Sequence, residues 1–331
     1  MATRNSIRAP ASFRAEARST VVEPSWPSPD GRTLVFVHGW PDTVDMWTPL
    51  IERLSKQGHK CVCVPLPWYP LGSDPEKRPD FDTAARDVAR AARLEKKKVT
   101  LVCHDWGCIV GFKVQKLAPE LVASIVALDV GGDARGLSSK EKAFIVSYQA
   151  WLVAAHLVGG PVGDYMTTRF ARLAGAPITR NEDGSVSAAV VRARLNWPYV
   201  AFWRDALFPR APSARDERVS QSETRKTPPP RDSKTPPFAP SCPVLFLFGG
   251  NKPARFHGDA WLAAIDAKNA RGDGSAWREI KDAGHWFAVE RADETFEALD
   301  RWLRETNGNK NASDETASEG GAEGGRLRSA L

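Results

Sequence analysis

No run of apolar residues in this chain approaches the roughly 18 needed to span a bilayer, so no membrane-spanning helix is expected. The makings of a disulfide framework are missing too. The five cysteines (Cys61, Cys63, Cys103, Cys108 and Cys242) are an odd number and sit mostly inside apolar runs. There is no CxxC pair and no clustering of the six histidines, so neither a metal centre nor any other cofactor is expected. Together these absences predict a reducing, cytoplasmic setting. Charge of one sign is not in large excess either. The 46 basic and 40 acidic residues leave +6, much of it in segments of low-complexity composition, which gives no reason to expect a nucleic-acid partner. Residues 1–20 alternate Arg, Ala and Ser without an apolar stretch, which argues against a secretory signal. Arg4, Arg8, Arg14 and Arg18, against Glu16 as the one acid, carry a trace of the composition of a mitochondrial or other organelle-transit segment; a plain terminal extension is the simpler expectation.

What is present is a large apolar fraction, 42% of 331 residues, enough for one main core and a smaller accessory domain. Short apolar runs alternate with helical spacing across 33–130. Strands are predicted at Thr33–Val37, Lys60–Pro65, Val99–Cys103 and Val122–Val130, and helices near Val44–Gln57, Asp82–Leu94 and Gly107–Leu117. The pattern returns with a strand at Val244–Phe248, a helix at Gly258–Ala267, a strand at Ala276–Ile280 and a helix at His285–Arg304. Such alternation predicts an α/β fold whose mostly parallel sheet is covered on both faces. The interval 133–240 breaks the alternation and reads as helical, with candidates at Phe144–Leu157, Met166–Leu173 and Val186–Ala206, the last interrupted by Pro198. The predicted organisation is an extension (1–20), a core (21–132 and 241–306), a helical cap (133–240) carrying a disordered Pro- and Ser-rich insertion (211–239), and a disordered tail (307–331).

The strand Val99–Cys103 runs straight into His104-Asp105-Trp106-Gly107 and then a helix, the setting in which a sharp turn lifts one side chain above the sheet edge. Gly107 supplies one of the small flanking residues, and Cys103 stands where the other is usually glycine. Asp105 occupies the exposed position. A carboxylate needs no base to deprotonate it at neutral pH and attacks saturated carbon to form an ester. An Asp before a helix can also simply cap it.

With His38-Gly39-Trp40-Pro41-Asp42 upstream and His104-Asp105-Trp106-Gly107 at the turn, residues 30–305 (211–239 excepted) resemble the epoxide hydrolase and haloalkane dehalogenase branch of the α/β-hydrolase superfamily. The resemblance implies an α/β-hydrolase fold with a cap domain and an aspartate nucleophile, Asp105. It implies an oxyanion hole from the backbone N–H groups of Trp40 and Trp106, with the Trp40–Pro41 bond often cis. His285, in Gly284-His285-Trp286 after the last predicted strand, is then the base that activates water. His38 and His104 are expected to be structural; His59, His156 and His257 have no comparable context. Relatives carry the acid that orients the histidine in a Gly-x-x-Asp segment after the next-to-last strand. Here that segment reads Gly249-Gly250-Asn251-Lys252, with lysine in the acid's place. Some dehalogenases of the branch, the fluoroacetate type among them, place the acid on the strand after the nucleophile, which makes Asp129 the expected acid, ahead of Asp259.

The predicted cap narrows the chemistry. Tyr148-Gln149 and Asn196-Trp197-Pro198-Tyr199 resemble the two segments that carry the proton-donating tyrosines of epoxide hydrolases, although Pro198 displaces the second. Tyr165 matches neither. Dehalogenases usually have Asn where this chain has Trp40. The expectation is a cofactor-independent hydrolase acting on a small-molecule epoxide with water, using Asp105, His285, Asp129, Tyr148 and Tyr199, with Trp40, Trp106 and Trp151 lining the substrate site. The alternatives are a haloalkane or haloacid dehalogenase with the same nucleophile, and a non-catalytic binding protein of this fold, suggested by Lys252 and Cys103. Oligomeric state is not readable from one chain.

Overall fold

The computed structural model describes residues 19–24, 28, 30–68, 79–177, 191–208 and 239–306. Among these, seven strands form one sheet in the order β1-β3-β2-β4-β5-β6-β7. They are β1 (Thr20–Val22), β2 (Thr33–Val37), β3 (Lys60–Val64), β4 (Val99–His104), β5 (Val122–Leu128), β6 (Val244–Gly249) and β7 (Ala276–Ile280). All neighbours pair in parallel except β1, which runs antiparallel along β3 with Val21 opposite Val62. The central strands read as unbroken apolar runs because both their faces are covered: β4 and β6 are buried at every residue. Alternation sends Val35 and Val37 to one core, with Leu101, Cys103, Ile125 and Phe246, and Leu34 and Phe36 to the other, with Val102, Val126, Leu128 and Leu247. Each fully buried Leu, Phe or Val side chain contributes roughly 1.5–3 kcal/mol relative to exposure.

Two of the α-helices begin at side-chain caps. Helix α1 (Thr48–Lys56) follows a 3-10 turn at Val44–Trp47. Asp80 caps α2 (Phe81–Arg93) by accepting the Thr83 N–H at 2.8 Å. Helix α3 (Trp106–Leu117) follows β4 with one residue between them. Among the described residues, three helices lie between β5 and β6: α4 (Ser139–Val158), started by a Ser138/Glu141 capping box, α5 (Gly160–Leu173) and α6 (Trp197–Leu207). Of the predicted Val186–Ala206 helix, the described residues are helical only from Ala193, and Pro198 stands at the start of an α-helix rather than within one. It sits in the first turn of α6, where its missing N–H costs nothing, and a 3-10 turn at Ala193–Asn196 precedes it. Residues 186–190 of that predicted helix lie outside the described residues, as do 1–18, 211–238 of the predicted insertion and the tail 307–331. Helices α7 (Asp259–Asn269), α8 (Phe287–Glu290) and α9 (292–306) complete the order.

Two local readings need correction. Strand β1 falls partly in the expected extension; three half-exposed residues at a sheet edge carry too weak a period to register. The single helix expected over His285–Arg304 starts two residues later and is interrupted at Arg291, whose φ of −126° and ψ of 49° leave the helical region. His285 and Trp286 are therefore loop residues.

The turn from β4 to α3 is built on close approach. A Cβ on Gly107 would lie 2.1 Å from the Val37 carbonyl oxygen of β2, so any side chain there forces backbone apart. Cys103 takes the usual first glycine's place because Gly111, one turn into α3, leaves room for its sulfur; a Cβ on Gly111 would meet Cys103 Sγ at 2.5 Å. Gly107→Ala is expected to destabilise the fold by about 2–4 kcal/mol, read as a lower urea midpoint at unchanged slope. A midpoint equal to that of the parent protein would contradict this account of the turn.

Candidate active site

Asp105 is held between β4 and α3 at φ 53° and ψ −125°, outside the regions an ordinary side chain prefers. Its side chain makes no N-cap hydrogen bond of the ordinary kind, to an N–H further along the first turn of α3. Instead Oδ2 accepts the Trp40 backbone N–H at 3.0 Å, and the Trp106 N–H bonds to the same carboxylate. The Trp40–Pro41 bond is cis. Burial raises the Asp105 pKa, opposed by the His285 charge and the two amides.

His285 comes from the loop after β7 and places Nε2 4.0 Å from Asp105 Oδ1, too far for a direct hydrogen bond. Its Nδ1 bonds to Asp129 Oδ2. Asp129 follows β5 at φ 73° and is fully buried. Its other oxygen, Oδ1, accepts the Gly249 N–H at 3.0 Å and pairs with the Lys252 ammonium. Lys252, the residue in the expected acid's place, is thus the counter-ion of the carboxylate one strand over. Burial alone would raise the Asp129 pKa, but Lys252 and His285 outweigh it and drive it well below the ordinary carboxylate value. Burial likewise pulls His285 down; the Asp129 charge and hydrogen bond and the Asp105 charge reverse this, and the net shift is upward. Lys252 opposes that rise. Asp259, the other acid considered, is exposed and paired with Arg255.

The remaining histidines of the motif loops do internal work. His38 receives the Leu66 N–H on Nε2 at 3.2 Å and is kept neutral by burial, its pKa lowered to about 4. His104 lies under His285 with ring centres 4.6 Å apart, and its Nε2 bonds to the His285 carbonyl oxygen at 3.0 Å. Burial lowers its pKa to about 3, so a neutral imidazole donates that bond. Asp42, not singled out from sequence, accepts the Trp286 indole N–H at 3.0 Å, and burial raises its pKa to about 7. These bonds fix the loop that carries His285.

A cavity of about 640 Å³ opens over this centre, lined by Asp105, His285, Trp40, Trp106, Tyr148 and Tyr199 among others. Tyr148 stacks on Phe170 at 5.4 Å, and the Gln149 amide approaches its hydroxyl at 3.5 Å while accepting the Trp203 indole N–H at 3.0 Å. Burial pushes the Tyr148 phenol well above its ordinary value, so it stays protonated. Tyr199 is buried edge-on to Trp106 at 5.1 Å, Trp40 at 5.8 Å and Tyr148 at 6.1 Å. Asn196 ties this wall to the Trp40 loop: its Oδ1 accepts the Trp40 indole N–H at 2.9 Å and its amide donates to Thr167 at 2.8 Å. The Trp106 indole N–H is buried without a hydrogen-bond partner among the described residues. Trp151 is a correction. It does not line the cavity; it is 46% exposed, and its indole N–H goes to the Met166 carbonyl across the α4–α5 pair at 3.1 Å. Tyr165 is likewise at the surface.

The Alpha/beta hydrolase family matches residues 34–298. An "Epoxide hydrolase 2" of Caenorhabditis elegans is 32% identical over 104 residues, which are 30% of this chain and 29% of that protein. A "Haloalkane dehalogenase" of Psychrobacter cryohalolentis is 26% identical over 102 residues, 30% of this chain and 33% of that protein. The matched segment thus spans about a third of these curated relatives. Among solved structures, an epoxide hydrolase from Bacillus megaterium superposes with a TM-score of 0.57 at 19% identity, covering 86% of this chain and 96% of that one. A putative epoxide hydrolase from Pseudomonas aeruginosa gives 0.58 at 19% identity, covering 88% and 92%. At these identities the superpositions establish the fold.

The contact between Lys252 and Asp129 has a measurable consequence. In Lys252→Met the positive charge that opposes His285 protonation is gone, so the His285 pKa is expected to rise further, followed by NMR titration of its ring. An unchanged or lower value would show that Lys252 does not act on the pair.

Proposed function

The chain belongs to the alpha/beta hydrolase family, and within it we propose an epoxide hydrolase that forms a vicinal diol through an ester on Asp105. The observation that carries this reading is the meeting of one carboxylate on the β4–α3 turn with two phenols, the buried Tyr199 and the half-buried Tyr148, in one cavity. Opening an oxirane by attack at carbon requires a proton donor for the departing oxygen, and a phenol held above its ordinary pKa stays protonated to donate.

In the first step an Asp105 oxygen bonds to the ring carbon as the C–O bond breaks, and the alkoxide takes a proton from a tyrosine. Asp105 thereby loses its negative charge. That charge is one of the influences raising the His285 pKa, so esterification moves His285 toward its neutral, basic form. His285, oriented by Asp129 with Lys252 behind it, then removes a proton from water. The hydroxide attacks the ester carbonyl, and the Trp40 and Trp106 N–H groups hold the oxyanion. Collapse breaks the ester bond to the former ring carbon, and the departing alkoxide takes the proton of the acid formed on Asp105. The diol leaves, and His285 gives its proton back, through water, to the tyrosinate left by the first step. Core and helical insertion are read here as hydrolase domain and cap. The five free, buried cysteines support a reducing, cytoplasmic setting.

A dehalogenase is the second reading, favoured by the unpartnered Trp106 indole N–H as a halide donor. The Trp40 indole N–H is committed to Asn196, which leaves this clamp one donor short of a pair. The two features that suggested a non-catalytic protein have structural compensations: Gly111 accommodates Cys103, and Lys252 pairs with the relocated acid.

With styrene oxide, His285→Gln is expected to accumulate protein heavier by the mass of one substrate. No mass increase would sink the ester mechanism, and halide release from haloalkanes without diol formation would select the second reading. Tyr148→Phe combined with Tyr199→Phe should lower epoxide turnover by about 10²–10⁴; turnover within a fewfold of the parent would remove the tyrosines from the mechanism. Because His285 acts as base only when neutral, single-turnover ester hydrolysis should rise with pH through the His285 pKa of the ester intermediate, which lies below that of the resting site because the Asp105 charge is gone. A rate flat from acidic to alkaline pH would contradict that role.

A further inference from the structure

From Ala143 to Gly163 the chain contains no Asp, Glu, Lys or Arg. This stretch forms most of α4, an outer helix whose exposed side is as apolar as its buried side. The exposed stripe runs through Phe144, Ser147, Ala150, Trp151, Ala154, Leu157 and Val158, and Val162 and Tyr165 of α5 extend it. Trp151, Val158, Val162, Tyr165 and Leu157 are 46, 58, 61, 70 and 73% exposed. A helix apolar all round is normally covered, and a contiguous apolar surface of this kind marks a contact site.

The rim of the face supplies the sign of the partner. Arg169 and Arg172 continue the exposed side of α5 after Tyr165, and Lys140 and Lys142 flank the start of α4. None of the four makes an ion pair among the described residues. The nearby acids are engaged: Glu141 with Arg255, and Asp164 with the Ala193 N–H at 2.7 Å. An uncharged, aromatic-bearing face rimmed by free cations fits an anionic lipid surface. A second copy fits less well. An antiparallel two-fold pairing would keep the cationic ends of the two copies apart and uncompensated, and the face is small. Sixteen residues of helix run about 24 Å, and two helices about 10 Å across cover roughly 500 Å², short of the roughly 800 Å² per partner of a stable pair.

We propose that the α4–α5 face docks this protein on anionic membrane surfaces, lying on the bilayer without crossing it. The face also borders the cavity: Phe144 and Leu173 both line it and are 36% and 71% exposed. Docking therefore sets the cavity's rim at the lipid boundary, a route for apolar substrates. That route rests on the epoxide reading; the docking does not.

The test is flotation of the full chain with phosphatidylcholine vesicles, with and without phosphatidylserine, beside sedimentation equilibrium of the free protein. The protein is expected to float with the serine-containing vesicles and to sediment as a monomer. Leu157→Asp with Val162→Asp, and separately Arg169→Glu with Arg172→Glu, should each weaken partitioning about tenfold or more. Near-ultraviolet circular dichroism should match the parent, and each pair serves as a folding check on the other. No flotation overturns the proposal, as does flotation that survives both pairs, which would place lipid contact elsewhere in the chain. A dimer dissolved by Leu157→Asp with Val162→Asp would make a second copy the occupant. None of these readouts needs epoxide turnover, so failure here and failure of the proposed chemistry are distinguishable.

Discussion

The buried carboxylate of Asp129 is the constraint on which the rest of the site depends. A charge with no solvent access is tolerated only when paired and hydrogen-bonded. Here the two oxygens divide the task. Oδ1 takes the Gly249 N–H and the Lys252 ammonium, which leaves Oδ2 committed to His285. Three chain segments, the ends of β5 and β6 and the loop after β7, are thereby fastened at one point. Losing any partner would leave part of a charge unsatisfied in the interior, so position and electrostatics are enforced together.

Lysine in the position where an acid is expected from the sequence would leave His285 without an anion there if none came from elsewhere. What allows it is sheet order. β5 and β6 are neighbours, so their C-terminal ends lie side by side and a carboxylate from either can reach the same imidazole nitrogen. With the acid on β5, the vacated place on β6 faces an anion, and a cation there is stabilising. The exchange reverses the sign of one residue and leaves the Asp129–His285 contact whole.

How much of this was legible in the sequence follows from which interactions are local. Strands buried on both faces announce themselves as apolar runs, so the central strands and the β4–α3 turn could be read directly, whereas the half-exposed edge strand β1 could not. Asp105 and His285 sit in short contiguous motifs. Asp129 was reachable through its spacing from Asp105. The Lys252–Asp129 pair was not, because 123 positions separate its members and only strand adjacency joins them. Trp151 failed for a related reason. Three positions after Tyr148 on a helix, it shares roughly that residue's side, but the groove between α4 and α5 and the Met166 carbonyl draw its ring outward. Asp42 and Gln149 act through indole and phenol partners that are remote in sequence or out of register, and no pattern of residue types marks such contacts.

The charge balance around His285 also bears on the order of events in the proposed reaction. With both Asp105 and Asp129 ionised, the imidazole is held toward its protonated form, and a protonated imidazole cannot activate water. Were the ester step to leave the surroundings unchanged, that upward shift would oppose the second step. Ester formation does change them, since it removes the Asp105 charge from beside His285 and passes it to the tyrosine that protonates the alkoxide. Asp129 then remains as the anion holding the ring, and Lys252 moderates its pull. A lysine behind the acid, which at first reading looked like a defect, thus limits how basic the histidine becomes and keeps its neutral form within reach at the step that needs it.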